Sequence, residues 1–228
     1  MAITTAMPTS FKSELFAGAH CFGGTVNTTG NTYSNDIVDT LASMVGISVG
    51  MRVSGPGIPV GCIVSQITSA TAIKIYPNAT ATATGVALSF NGDVFRIALI
   101  RHAPVGTYGA ASVNYADVTS NVDEVVGVGY AAGGLGLSNV SPAVAGSTAF
   151  VSFGGTISWT SATIDSDGCI IYNSGVNPRL GGASGASTTG SGRAIYAGDF
   201  GGRQQVASGT FTIVMPAADA THAILRLQ

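Results

Sequence analysis

Few residues here have types and spacing suited to chemistry. Asp165-Ser-Asp-Gly168 sets two carboxylates at i and i+2 before a glycine, as calcium loops do. It lacks a third oxygen ligand and the distant bidentate Glu of such loops, so it reads as a polar hairpin turn. His20, His102 and His222 share no sequence context, and isolated histidines read as satisfied or surface side chains rather than a ligand set or a catalytic base. Gly127-Val-Gly-Tyr-Ala-Ala-Gly133 resembles a dinucleotide loop superficially, but its spacing is one residue too long and no helix follows. Gly190-Ser-Gly-Arg193 lacks the Lys-Ser/Thr of a phosphate loop. Glycoside hydrolysis needs two placed carboxylates, and most of the 11 acidic residues fall at expected turns. No catalytic, cofactor-binding or metal-binding residue is therefore assigned, no cofactor is expected, and an enzyme is not the expected class.

Cys21, Cys62 and Cys169 are far apart without metal-ligand spacing, and read as three reduced, buried thiols. Trp159, Tyr172, Tyr196 and Phe200 have the types of a sugar platform. The alternations Ile157/Trp159 and Phe211/Ile213/Met215 favour sandwich core instead, where large aromatics dominate burial. The Asn-X-Ser/Thr triplets at Asn27, Asn78 and Asn139 carry no meaning without a secretory context. Met1-Ala-Ile-Thr-Thr does not read as a secretory signal.

Charge is sparse. Asp, Glu, Lys and Arg make up 9% of the 228 residues, with a formal net charge of −2, against roughly 25% in an ordinary domain. Nucleic-acid binding needs a basic stripe to displace counterions, and Lys12 and Lys74 are the two lysines, so no nucleic-acid partner is expected. No apolar window reaches membrane-spanning length, so no membrane partner is expected either. Glu124-Val-Val-Gly-Val-Gly-Tyr-Ala-Ala-Gly-Gly134 opens a run from Val125 to Ile164 without any Asp, Glu, Lys or Arg. Soluble domains spread charge over their surfaces, whereas contact cores are depleted in it. The run is therefore either mostly buried or partly turned towards another protein.

The elements that must position these residues are mainly strands. A helix is expected over 9–22, capped by Thr9 or Ser10 and burying Phe11, Leu15, Ala19 and Phe22, with Lys12, Ser13 and Glu14 off that face. Strands are expected at 62–68, 71–76 and 85–90, then at 94–101, 148–153, 157–164, 168–172, 193–200, 209–215 and 222–227. The segment 36–45 reads as a helical turn or a strand. The Gly/Ser-rich stretch 180–192 reads as a long loop. This pattern predicts an all-β fold: an antiparallel β-sandwich core formed by 1–22 and 93–228 with one N-terminal helix, and a small inserted β domain over 23–92.

Gly50-Met-Arg-Val-Ser-Gly-Pro-Gly-Ile-Pro-Val-Gly-Cys-Ile-Val64 resembles a short β-repeat found in phage virion proteins and bacterial surface proteins. Elsewhere the chain resembles a family of small tailed-bacteriophage virion structural proteins. The matching pieces are Ala2-Ile-Thr-Thr-Ala-Met-Pro-Thr-Ser-Phe-Lys-Ser-Glu-Leu15, Phe95-Arg-Ile-Ala-Leu99, the stretch Glu124–Gly134 and Cys169-Ile-Ile-Tyr-Asn173. Asp199-Phe-Gly-Gly202 and Phe211-Thr-Ile-Val-Met-Pro-Ala-Ala-Asp-Ala220 complete the set. The resemblance implies no enzymatic activity. Together with the uncharged run and the compact β reading, it leads to the expectation of a capsid decoration or cement protein: a homotrimer bound to the major capsid protein or other virion proteins on the virion surface, made in the bacterial host cytoplasm. The alternative is a tail or fibre component engaged in host attachment. A tailspike-type depolymerase is the least favoured for want of paired carboxylates. The 23–92 insertion and the 180–192 loop depart from the family pattern.

Overall fold

The computed structural model describes residues 2–175 and 192–228. In chain order the elements begin with α1 (Thr9–Phe16), β1 (Val26–Thr32), β2 (Ile37–Asp39), β3 (Arg52–Ser54), β4 (Ile63–Ile67), β5 (Ile73–Tyr76) and β6 (Ala83–Asn91). They continue with β7 (Phe95–Arg101), α2 (Ala116–Ser120), β8 (Leu135–Gly136), β9 (Ser138–Asn139), β10 (Ala143–Ala145) and β11 (Thr148–Val151). The last are β12 (Phe153–Gly154), β13 (Thr156–Asn173), β14 (Arg193–Val214) and β15 (Leu225–Leu227). The fold is all-β and its strand ladders are antiparallel. The chain divides into two compact units, Met1–His20 with Val94–Gln228, and Cys21–Asp93.

The inserted unit is a closed barrel of order β1-β2-β5-β4-β3-β6. Closure follows from β6, which pairs with β1 on one side and β3 on the other. A closed barrel presents no open strand edge. Alternating residues of the short strands fill it: Val38, Val53, Val64, Ile73, Ile75, Leu88 and Phe90 are buried with Met51 and Cys62. The chain ends of this unit are tied together, because Cys21 N–H donates to the Asp93 carboxylate (2.8 Å) and Asp93 N–H to the Cys21 carbonyl (2.7 Å).

The larger unit is built on a four-stranded sheet of order β14-β13-β7-β8. Its central strand β7 reads apolar on both faces. Ala98 and Ile100 pack with Ile3, Tyr108, Val118, Ile170 and Ala194 on one face. On the other face Phe95 meets Phe153 of β12, ring centroids 5.4 Å apart, and stacks on His20. A three-stranded sheet, β10-β11-β15, and the β12-β9 pair complete this unit.

Five sequence expectations are corrected. The helix ends at Phe16 rather than 22, because Gly18 takes φ +65° and closes the end, its N–H donating to Leu15 while Ala19 N–H reaches back to Glu14. That is the double hydrogen-bond pattern by which a left-handed glycine stops a helix. The buried helix face holds Phe11 and Glu14, and no side chain caps the N-terminus, where Pro8 stands. Asp165–Gly168 is no hairpin turn. It lies inside the single strand β13, where the register shifts between Ser166 and Gly168, and the buried Ser166 hydroxyl donates to the carbonyls of Ile100 and Gly168. The strands expected at 193–200 and 209–215 are likewise one strand, β14. The loop expected over 180–192 lies, Gly192 apart, outside the described residues.

Candidate functional site

Two adjacent carboxylates open the uncharged run. Consecutive residues of an extended chain point to opposite sides, and these two enter different networks. Asp123, fully buried, accepts from Tyr108 Oη (2.6 Å), Gly106 N–H (2.7 Å), Val105 N–H (2.9 Å) and Arg101 Nε (3.0 Å). Burial alone would raise its pKa, but those donors outweigh it and hold the carboxyl below its ordinary range. Burial, then the bond to Asp123, pushes the Tyr108 hydroxyl up to about 12.

Glu124 turns into a tyrosine cage. It accepts from the hydroxyls of Tyr115 and Tyr130 and from Gly133 N–H, the last two at 2.8 and 2.7 Å. Tyr115 stacks on Tyr172 with centroids 4.5 Å apart. Tyr172 Oη and Arg96 Nε donate to the Gly133 carbonyl at 2.8 and 2.9 Å, and Arg96 Nη2 donates to Gly134. Tyr130 Oη in turn accepts from Leu99 N–H (2.9 Å). Burial, largest in each case, raises the Tyr115, Tyr130 and Tyr172 hydroxyls above their ordinary values, so all three remain donors. The cage fixes the path of the 127–134 glycine-rich segment against β7. It is not legible in the sequence because Arg96 lies in β7, Tyr172 in β13 and Tyr115 just before α2, with no spacing rule joining them to Glu124.

The three histidines are not brought together. His20 sits between Glu14 (2.7 Å from Nε2) and Asn173 (3.1 Å from Nδ1), with Arg193 on the far oxygen of Glu14. Asn173 Oδ1 accepts from Gly175 N–H, which turns its amide nitrogen towards His20. Nδ1 of His20 is then an acceptor and Nε2 carries the proton donated to Glu14. The His20 side chain is wholly buried and that of Glu14 is 9% exposed, so the imidazole itself meets no solvent. His222 caps onto Asp219, whose carboxyl is held down to about 2 by hydrogen bonds from His222 and neighbouring amides.

His102 and Asp167 (2.8 Å) stand in a shallow cleft of about 330 Å³ with Asp199 and Arg203. Arg203 is engaged in two hydrogen bonds with Asp165 (2.7 and 2.6 Å), which lower the Asp165 carboxyl. The carboxylates of the 165–168 motif thus serve cross-strand pairing, each with its own cation or imidazole. Among the described residues lining the cleft there is no Ser, Thr, Tyr or Cys side chain. Among the described residues no group of three His, Cys, Asp or Glu is disposed to hold a metal ion. Cys21, Cys62 and Cys169 are buried and unbridged, and burial pushes the Cys62 and Cys169 thiols up to about 11 and about 12, leaving them poor nucleophiles.

The four aromatic residues are not gathered on one surface: Phe200 meets Phe211 at 6.3 Å, on the Trp159 side. Trp159 is 3% exposed and packs between Tyr130 and Phe211, at 5.8 and 6.0 Å. Tyr172 belongs to the separate Glu124 cage. The Val125–Ile164 run of the larger unit presents uncharged surface to solvent. Of the 40 residues from Val125 to Ile164, 21 are exposed and 10 buried, so burial does not account for the missing charge. Val126, Val128 and Val144 are 91, 74 and 73% exposed.

Comparison with protein-family models, with curated proteins and with solved structures finds no match to this chain.

Proposed function

We propose that the protein is a structural binding protein of a phage virion, acting as a capsid decoration protein on the major capsid protein and without chemistry of its own. The observation that carries this reading is the exposed, charge-free surface of the Val125–Ile164 run. Short Ser, Thr, Ala and Gly side chains lose little rotamer entropy when ordered at a contact, compared with Lys or Glu. Many weak copies of such a contact on a repeating lattice gain avidity through effective concentration. The resemblance of the Ala2–Leu15, Glu124–Gly134 and Phe211–Ala220 segments to virion proteins points the same way.

The test is reconstitution on capsids lacking the protein, at about 50 mM and about 500 mM NaCl, because contacts with few charges are screened little. Stoichiometric binding at both salts, with capsids that resist heat better, supports the reading. Binding that collapses at the higher salt, or decoration of tails or host cells alone, overturns it. The second reading, a tail or fibre component for host attachment, draws on the inserted barrel, a compact unit with exposed Val45, Val49 and Val60. Copy number in purified virions separates the two: a lattice protein is present in far more copies than a tail component.

A further inference from the structure

β14 runs far beyond the part of the sheet that anchors it. Its first half is covered on the outer side: Ala197 exchanges backbone hydrogen bonds with Ala6 (2.9 and 3.0 Å), Ala194 N–H donates to Val113, and Asp199 N–H donates to the Thr5 hydroxyl. From Phe200 to Val214, β13 is its sole strand partner among the described residues. An open edge displays unpaired N–H and C=O groups, and proteins guard it with charge, proline, shortness or a bulge. Gln204 to Met215 contains neither a charged residue nor a proline. One guard is present: the register shifts opposite Ala162, where Ser208 takes φ +51°. Past that irregularity, Thr210–Val214 remains a regular, unguarded edge. Thr210, Thr212 and Val214 are exposed, while Phe211 and Ile213 turn to the other face, opposite Trp159 and Ile157.

We propose that Thr210–Val214 pairs edge to edge, antiparallel, with the same segment of a second copy of this chain, making a two-fold dimer. An antiparallel pair about a two-fold axis is self-complementary by construction. Centred on Thr212, it sets Phe211 opposite the partner's Ile213 and Thr210 opposite the partner's Val214. Residue parity is kept, so the apolar row Ile157–Ile213 continues into the partner's Phe211 and Trp159. The hydroxyl row of Ser158 and Thr212, whose oxygens lie 3.2 Å apart, continues on the opposite face. Aromatic and β-branched residues facing across strands are favourable pairs. The segment carries no charge, so no like charges meet across the axis. A strand of another protein would need the same alternation of faces, and the copy supplies it. The dimer stands apart from the capsid reading and replaces the trimer expected from the sequence.

Light scattering on the free full-length protein at micromolar concentration is expected to give twice the chain mass of 22.7 kDa. Thr210→Lys/Val214→Lys places two like-charge pairs across the axis, and both side chains are exposed within the monomer. This variant, and separately Thr210→Glu/Val214→Glu, should be monomeric with an unchanged near-UV spectrum. Mixing the two should restore a mixed dimer. A monomeric or trimeric parent protein, a dimer that both variants leave intact, or failure of the mixed pair to associate overturns the proposal.

Discussion

Asp123 and Glu124 are neighbours in the chain and strangers in space. Asp123 holds together the 101–108 region by four hydrogen bonds on one buried carboxylate. Removing it leaves Tyr108 Oη and two backbone N–H groups without their acceptor. The Arg101 side chain is 38% exposed and water can take over its half of the pair, so the cost of Asp123→Ala comes from the stranded donors, about 1–3 kcal/mol for each one left unsatisfied. The pH dependence follows from the lowered pKa. A carboxyl whose folded pKa lies below its unfolded value, about 3.9, contributes stability above that value and loses it as pH falls through the folded pKa. Urea titrations of parent and variant should differ most at neutral pH and converge as the pH drops below about 4. A gap that stays constant through that window would show that the Asp123 charge does not stabilise the fold.

Elements were legible from the sequence where local pattern determines them. Ile97/Leu99, Ile157/Trp159 and Phe211/Ile213 alternate, and each lies on a strand. The interruptions were not. Asp165-Ser-Asp-Gly168 has turn composition, yet cross-strand partners absorb its carboxylates and the strand continues. Turn propensity is a local quantity, and pairing with β7 and β14 on both sides outweighs it. Gly18 is a readable helix stop, but Ala19 and Phe22 continue the apolar spacing beyond it. In the Glu124–Gly134 segment the glycines have a geometric reason. Gly134 takes φ +64°, and a Cβ there would lie 1.8 Å from the Ile97 carbonyl oxygen. Since β7 backbone cannot yield as a flexible side chain would, Gly134→Ala combines left-handed strain with overpacking. We expect a loss of about 2–5 kcal/mol, read as a lowered denaturant midpoint. A midpoint within error of the parent would mean that the segment is not held against β7.

At the scale of the whole molecule, the division at His20 and Asp93 sets the last prediction. The barrel has its own core, closed by its own strands, with Val38, Cys62, Val64 and Ile73 fully buried within it. Its entry and exit are joined by the two hydrogen bonds between Cys21 and Asp93, so chain enters and leaves it at neighbouring points. Closing a short loop in its place costs little, because loop entropy grows only slowly with length. Cutting out Cys21–Asp93 and joining His20 to Val94 through a short Gly/Ser linker should leave the larger unit folded. The buried Glu14–His20–Asn173 contacts flank the junction, so some loss of stability is expected while cooperativity remains. The excised barrel should fold alone. Calorimetry on the two pieces should give one cooperative transition each, and their sum should resemble the trace of the full chain. If the deletion protein shows no cooperative transition while the isolated barrel does, the larger unit needs the barrel to fold. If neither does, the two cores form a single cooperative unit.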